Sequence, residues 1–536
     1  MKSRVKKFNA LLQLLIVSIL LLSLISGCGQ GAQTSSQPSQ PPSSPPQQEI
    51  ALPSVDPAES TPPTSTPSAP EPTPSLTPPS TPALPSSGTP PIPPLSTAEK
   101  FSLFAITLAY NINDGLMGPE MSHALNDLRS GWSILRSNTK AVQELLSSLQ
   151  RIFDSRVELV KGARFSLDRE IAGYFTWNVI EPEKGSYDWR LTDLVAQYAR
   201  KSQIKISAVI QPFASWDQKS AIPSPSCRAL DFAWYDYKAG PPNDWSAYQK
   251  FLEATVERYK DVVFAWEIGN EYDGQCGGFQ DNPEGYLQLL KTSYETIKRI
   301  DPEAMVLNGG ALEFSDSSIR NFWTKFFQLG GGNYLDAFNL HYNMERNGAK
   351  SDPSTFLELL NFYNTLIKNQ GLAKPLWITE FGTYSGTPSP PPLPSGGGPL
   401  PTFPSQSQEF QAAWYFRYSI LAFANNAEKI FIDLIGSDDN NVTGAAMYNL
   451  QNQSRLFLKT LQAISVKLQG FSKVERIADG QYRFTVGERV IYALWEGSLP
   501  PSIGGQVKVT NLKGEEKLTD AQAIRFSAQD PVLVEI

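Results

Sequence analysis

Two stretches of the same design, far apart in the chain, limit what it can fold into. VVFAWEIGNEYDG, Val262 to Gly274, is an apolar, β-branched and aromatic run that ends in a polar cluster with Glu271 at its tip. PLWITEFGTYSG, from Pro375, repeats the pattern and delivers Glu380. Such runs read as buried strands that carry a carboxylate into the loop beyond. The two glutamates are 380 − 271 = 109 residues apart. That is three units of about 36 residues, and a βαβ unit takes about 30 or more. The spacing fits strands four and seven of a (β/α)8 barrel, whose chemistry sits at the C-terminal strand ends.

From Phe101 onward short apolar runs alternate with longer amphipathic stretches, the pattern of parallel β/α architecture. Eight strands are expected: Leu103 to Leu108, Ala163 to Leu167, Ile204 to Ile210, Val262 to Ile268, Met305 to Leu307, Ala337 to Leu340, Leu376 to Thr379 and Ile430 to Leu434. The barrel domain is placed at residues 99–466. Residues 467–536 turn to short alternating runs, among them QYRFTV, RVIYALWE, QVKVTNL, AIRFSA and PVLVEI, and read as a small antiparallel β-domain. Its one tryptophan, Trp495, lies within a strand, which favours a structural cap over a carbohydrate-binding module.

Two carboxylates facing each other across a barrel mouth are the equipment of a retaining glycoside hydrolase. One attacks the anomeric carbon and the other protonates the leaving oxygen, at a carboxyl separation of about 5 to 5.5 Å. Glu271 then has to keep its proton while Glu380 is ionised.

Three segments carry a specific resemblance. WNVIEPEKGSYDW, Trp177 to Trp189, is similar to the W..iEPekG.ydw segment of the glycoside hydrolase clan, clan A, that includes families 5, 39 and 42. WEIGNE, Trp266 to Glu271, resembles that clan's strand-four motif, and WITEFG, Trp377 to Gly382, its strand-seven motif. The three occur in the clan's order, and the resemblance covers about residues 100 to 465. It implies Glu271 as acid/base, Glu380 as nucleophile, and Asn270 as donor to the sugar 2-hydroxyl. It implies His341, in DAFNLHYN, as the active-site histidine of strand six. The tyrosine that relatives carry two positions after that histidine, where it bonds the nucleophile, is Asn343 here, with Tyr342 just before it as the candidate site tyrosine. Arg164 is the candidate for the clan's strand-two arginine, and Arg169 competes for the place. Trp216 either stacks on a sugar face or packs in the core. Strand eight lacks the usual tryptophan platform, so either another aromatic such as Trp377 or Tyr448 replaces it or the subsite is unusual. Glu181 and Glu267 read as structural. Oligo- or polysaccharides are the implied substrates, with no metal or organic cofactor. A transglycosylase using the same pair, or a non-catalytic glycan-binding protein, are the rival readings.

Residues 1–27 combine a cationic start (Lys2, Arg4, Lys6, Lys7) with an apolar stretch from Ala10 to Ile25, as in a secretory signal. Ile25-Ser26-Gly27-Cys28 resembles the lipobox of bacterial lipoproteins, which implies lipidation at Cys28 and an extracytoplasmic, lipid-anchored protein; the alternatives are an ordinary signal peptide with a chance cysteine or an uncleaved anchor helix. A monomer is expected. Residues 28–98 are built mainly from Pro, Ser, Thr, Gln and Ala; beyond Cys28 they contain no Lys, Arg or aromatic residue. Such a segment cannot bury a core and reads as a disordered linker. Of the remaining cysteines, Cys227 and Cys276 form either a disulfide between two loops or two free thiols, and neither has zinc-site spacing.

The 46 Lys and Arg against 53 Asp and Glu leave a net charge of −7 without a long basic run past the signal, which argues against nucleic acid as a partner. Two histidines, His123 and His341, leave little for a histidine-rich metal site or a Ser-His-Asp arrangement.

Overall fold

A computed structural model describes residues 103–106, 139–170, 173–218, 240–274, 278–312, 317–343, 352–386, 405–432, 447–448 and 453–536. Cys28, Cys227, Cys276 and His123 lie outside the described residues, as does the 1–98 region.

Strands and helices alternate: β1 (Phe104–Ile106), α1 (Thr139–Ala163), β2 (Leu167–Glu170), α2 (Arg190–Ser202), β3 (Lys205–Ile210), α3 (Trp245–Tyr259), β4 (Val263–Ile268) and α4 (Pro283–Ile300). They continue through β5 (Met305–Asn308), α5 (Ser317–Gln328), β6 (Phe338–Asn343), α6 (Ser354–Asn369), β7 (Leu376–Gly382), α7 (Gln408–Ala424), β8 (Ala427–Ile432) and α8 (Leu456–Leu468). A one-turn helix, Trp177–Ile180, sits between β2 and α2. The strands pair in parallel in the order β5-β4-β3-β2-β1-β8-β7-β6. Single parallel bridges, Leu307 to Ala337 and Ala311 to Leu340, close the ring between β5 and β6. At this seam two side chains stand in for ladder rungs: Asn308 Nδ2 donates to the Asn339 carbonyl at 2.7 Å, and the Asn339 backbone N–H donates to Asn308 Oδ1 at 2.6 Å.

Side-chain alternation along the strands separates two cores. Leu167, Ala265, Leu307, Ala337, Trp377 and Phe431 pack together inside the barrel. Their neighbours Trp266, Phe338, Ile378 and Ile430 face the helical layer. Helix α7 is apolar on nearly every side, as a helix covered on both sides must be. Tyr415 stacks on Phe457 of α8 at 4.7 Å, and Phe416 meets Trp495 edge-on at 6.4 Å.

β2 lies later than expected, at Leu167–Glu170 rather than Ala163 to Leu167, because α1 runs to Ala163 and ends at Arg164, whose φ of 62° terminates the helix. Its interior is Asp168, Arg169 and Glu170, all buried, so it shows none of the apolar signature of a buried strand.

The C-terminal sheet is antiparallel, in the order β13-β12-β14-β11-β10-β9. Its strands are β9 (Lys473–Ala478), β10 (Gln481–Val486), β11 (Arg489–Leu494), β12 (Gln506–Thr510), β13 (Glu516–Asp520) and β14 (Val532–Glu535). AIRFSA is not among them: a 3-10 turn at Ala521–Ala523 leads into it, and Ile524 plugs the small core of the outer face.

Candidate active site

Glu271 stands three residues past the end of β4 with φ of 52°, an unfavourable conformation for a residue with a side chain. What holds it there is the turn after β5. The Glu271 backbone N–H donates to the Gly309 carbonyl at 2.6 Å. A side chain at Gly309 would strike the backbone of Ile268 and Gly269, and one at Gly310 would strike the His341 ring. Two glycines therefore let three strand ends converge on one point.

Glu380 reaches the same point by a different device. Against β8, three steps along β7 from Ile378 to Phe381 match two steps from Ile430 to Ile432, and against β6 Thr379 is skipped. This extra residue is a β-bulge. Trp377 faces inward and Ile378 and Phe381 face outward, so strict alternation would send Glu380 outward with Ile378. The bulge lets Thr379 and Glu380 both point inward.

His341 of β6 lies between the carboxylates. Its Nδ1 is 2.8 Å from Glu271 Oε1 and 3.6 Å from Glu380 Oε2, and its Nε2 is 3.2 Å from Thr379 Oγ1. One oxygen of each glutamate and a ring nitrogen of His341 all lie within 4.8 Å of one another. Burial disfavours the imidazolium, but the charges of Glu380 and Glu271 outweigh it and hold the His341 pKa above its ordinary value.

Beneath this trio Arg169 of β2 is fully buried and joins three partners. Its Nε and Nη2 bind Glu267 of β4 at 2.8 and 2.6 Å, Nη1 binds Glu380 Oε1 at 2.9 Å, and Nη2 also reaches Asn270 Oδ1 at 2.8 Å. Burial works against the Arg169 charge, yet Glu267 and Glu380 beside it raise its pKa overall. Because a guanidinium only donates, Asn270 must present its oxygen to Arg169, which turns its amide nitrogen away. The trio could offer one ligand atom each to a small cation, but Arg169 supplies positive charge to Glu380 directly.

Asp273 is buried just beyond Glu271. Its Oδ2 accepts from the Leu312 backbone N–H at 2.9 Å and from Trp323 Nε1 at 2.7 Å. Burial, the largest influence, pushes its pKa up to about 7.

The structure brings Glu271, Glu380, Asn270 and His341 together and corrects four other expectations. Arg164 is exposed before the N-terminal end of β2, the wrong end for the site, and the strand-two arginine is Arg169. Tyr342 follows the inward-facing His341, so it faces outward, stacked on Trp414 and Tyr418 of α7. Trp377 fills the barrel interior at the start of β7, with Nε1 3.3 Å from Glu428 Oε2. Tyr448 donates its hydroxyl to the Leu159 carbonyl of α1 at 2.8 Å. Of the two readings of Trp216, packing is the one realised: its ring meets Trp177 edge-on at 5.0 Å and its Nε1 donates to the Glu181 carbonyl at 2.8 Å. Glu181 is structural, accepting from Trp177 Nε1 and the Gly185 backbone, both at 2.6 Å. The segment after β7 lies mostly outside the described residues, but its neck is pinned by two backbone hydrogen bonds between Gly386 and Gln406.

A family 39 glycoside hydrolase from Bacteroides cellulosilyticus WH2 superposes with a TM-score of 0.50 at 17% identity, over 71% of this chain and 78% of that one. The two share the (β/α)8 fold. No family model matches the chain. Among curated proteins it is similar to mannan endo-1,4-beta-mannosidase F of Aspergillus clavatus, 31% identical over 155 residues. It is also similar to a beta-galactosidase of Lactobacillus acidophilus, 26% identical over 140 residues. These matches cover 27% and 24% of this chain, and 31% and 20% of the relatives' own lengths.

Proposed function

We propose that this barrel is a retaining glycoside hydrolase acting on β-linked oligo- or polysaccharides. The observation that carries this reading is that one carboxylate oxygen of Glu271 and one of Glu380 lie within 4.8 Å of each other, on either side of His341, so that the two groups share one pocket. Inverting enzymes hold their carboxyl groups about 6.5 to 9.5 Å apart to admit a water, and retaining ones about 5 to 5.5 Å.

Arg169 holds Glu380 Oε1, which leaves Oε2 to attack the anomeric carbon as Glu271 protonates the departing glycosidic oxygen. In the second half, Glu271 takes a proton from water, the hydroxyl adds to the anomeric carbon, and the bond to Glu380 breaks. Asn270, its oxygen fixed by Arg169, aims its amide N–H at the sugar 2-hydroxyl. The matches to a mannosidase and a beta-galactosidase support a glycan substrate. The signal-like start and Cys28 support an enzyme tethered by lipid outside the cytoplasm.

Glu380→Ala should abolish turnover of an activated aryl glycoside, and azide should restore part of it as the glycosyl azide of inverted configuration. Undiminished turnover in that variant would overturn the assignment. Labelling with a panel of 2-fluoro glycosides, followed by peptide mass spectrometry, should place the sugar on Glu380.

A further inference from the structure

Outside the barrel, α6, α7 and the turns of the C-terminal sheet enclose a cleft of about 480 Å³, within the size range of pockets that hold small ligands. It is separate from the carboxylate site, which lies inside the strand ring, whereas this cleft uses the outward sides of α6 and α7.

Arg417 of α7 stands in its wall, half-buried. Its Nε donates to the Ala413 carbonyl of its own helix at 3.3 Å, and among the described residues its guanidinium forms no ion pair. The acidic group that acts on it is Glu496, at longer range, while the neighbouring Arg476 is taken up by Asp479. Burial is the largest influence on Arg417 and pulls its pKa below the ordinary value, as for a cation short of a counter-ion. Trp495 and Tyr482, stacked on each other at 5.3 Å and largely buried, also line the cleft. Asn361 and Asn425 line it too. The Asn425 amide nitrogen donates to the Leu421 carbonyl at 2.8 Å, leaving its oxygen to accept.

We propose that this cleft binds an acidic saccharide, with Arg417 gripping the sugar carboxylate and Trp495 and Tyr482 lining the ring. A guanidinium fork matches a carboxylate with two parallel hydrogen bonds. Aromatic rings suit the apolar face of a pyranose, and the asparagine amides suit its hydroxyls. A neutral sugar would leave the Arg417 guanidinium without a directly paired carboxylate, Glu496 of the same cleft acting on it only at longer range.

The test is calorimetric titration of the full chain with digalacturonic acid, neutral galactobiose and inorganic phosphate, in the wild type, Arg417→Gln and Glu380→Gln. Digalacturonic acid should bind saturably and galactobiose far more weakly. Arg417→Gln should weaken the acidic sugar about ten- to a hundredfold, the effect of losing a charge-assisted hydrogen bond. It should leave melting temperature and aryl glycoside turnover unchanged, and Glu380→Gln should leave the binding intact. Equal binding of the neutral disaccharide, binding lost in Glu380→Gln but kept in Arg417→Gln, or phosphate binding without uronide binding would each overturn the proposal.

Discussion

Arg169 and Glu267 face each other fork to fork at 2.6 and 2.8 Å, with both side chains fully buried. Neither touches the anomeric carbon in the proposed reaction, yet the pair sets where Glu380 and Asn270 stand. Glu267→Ala would leave the buried Arg169 Nε without an acceptor and break its fork-to-fork ion pair, at a cost of about 3–5 kcal/mol of stability. Arg169→Lys cannot hold Glu267, Glu380 and Asn270 at once and should lower kcat/KM about a hundredfold or more. Denaturant melts and initial rates on an aryl glycoside check both, and a normal rate in Arg169→Lys would contradict the positioning role.

His341 should leave a mark on the stability–pH profile. Its folded pKa is raised, so the imidazolium contributes stability in full below its unfolded value of about 6.5. That contribution is lost as pH rises through the folded value. His341→Gln should flatten this part of the curve, which chemical denaturation at a series of pH values would reveal.

Asp273 runs the other way from most carboxylates. Its folded pKa near 7 exceeds the unfolded value of about 3.9. Stability is therefore withdrawn as pH climbs from about 4 toward 7 and beyond. Asp273→Asn keeps an acceptor for Leu312 and Trp323 and carries no charge. It should be more stable than the wild type at pH 8, by a few kcal/mol at most, with the gap closing near pH 4. A gap independent of pH would refute this.

Gly310→Ala places a methyl group against the His341 ring and strains a backbone with φ of 58°. The expected outcome is a fall in kcat of at least about tenfold, as the imidazole is pushed off Glu271. A crystal structure of the variant would show whether the ring moved.

Much of this was legible in the sequence, and the failures have physical causes. The two apolar runs ending in Glu271 and Glu380 announce themselves because parallel strands buried on both faces are nearly continuous in hydrophobicity. β2 hides for the opposite reason: Asp168, Arg169 and Glu170 are buried, so the strand that supplies the central cation looks like a surface segment. Tyr342 draws attention because it stands beside the position of the relatives' nucleophile-bonding tyrosine, and Trp377 because an aromatic residue within a catalytic motif suggests a sugar platform. Strand alternation assigns Tyr342 to the helical layer, and the position of Trp377 three residues before Glu380 puts it deep in the ring. The bulge at Thr379 has no sequence signature, since it follows from mismatched pairing with both neighbouring strands.

The seam between β5 and β6 has a consequence for how the molecule fails. Asn308 and Asn339 close the ring there with amide side chains, and the same seam feeds Gly309, Gly310 and His341 into the pocket. Loosening at that joint would separate the proposed acid from its imidazole while the other staves stay zipped. Heat should therefore inactivate the protein before it melts.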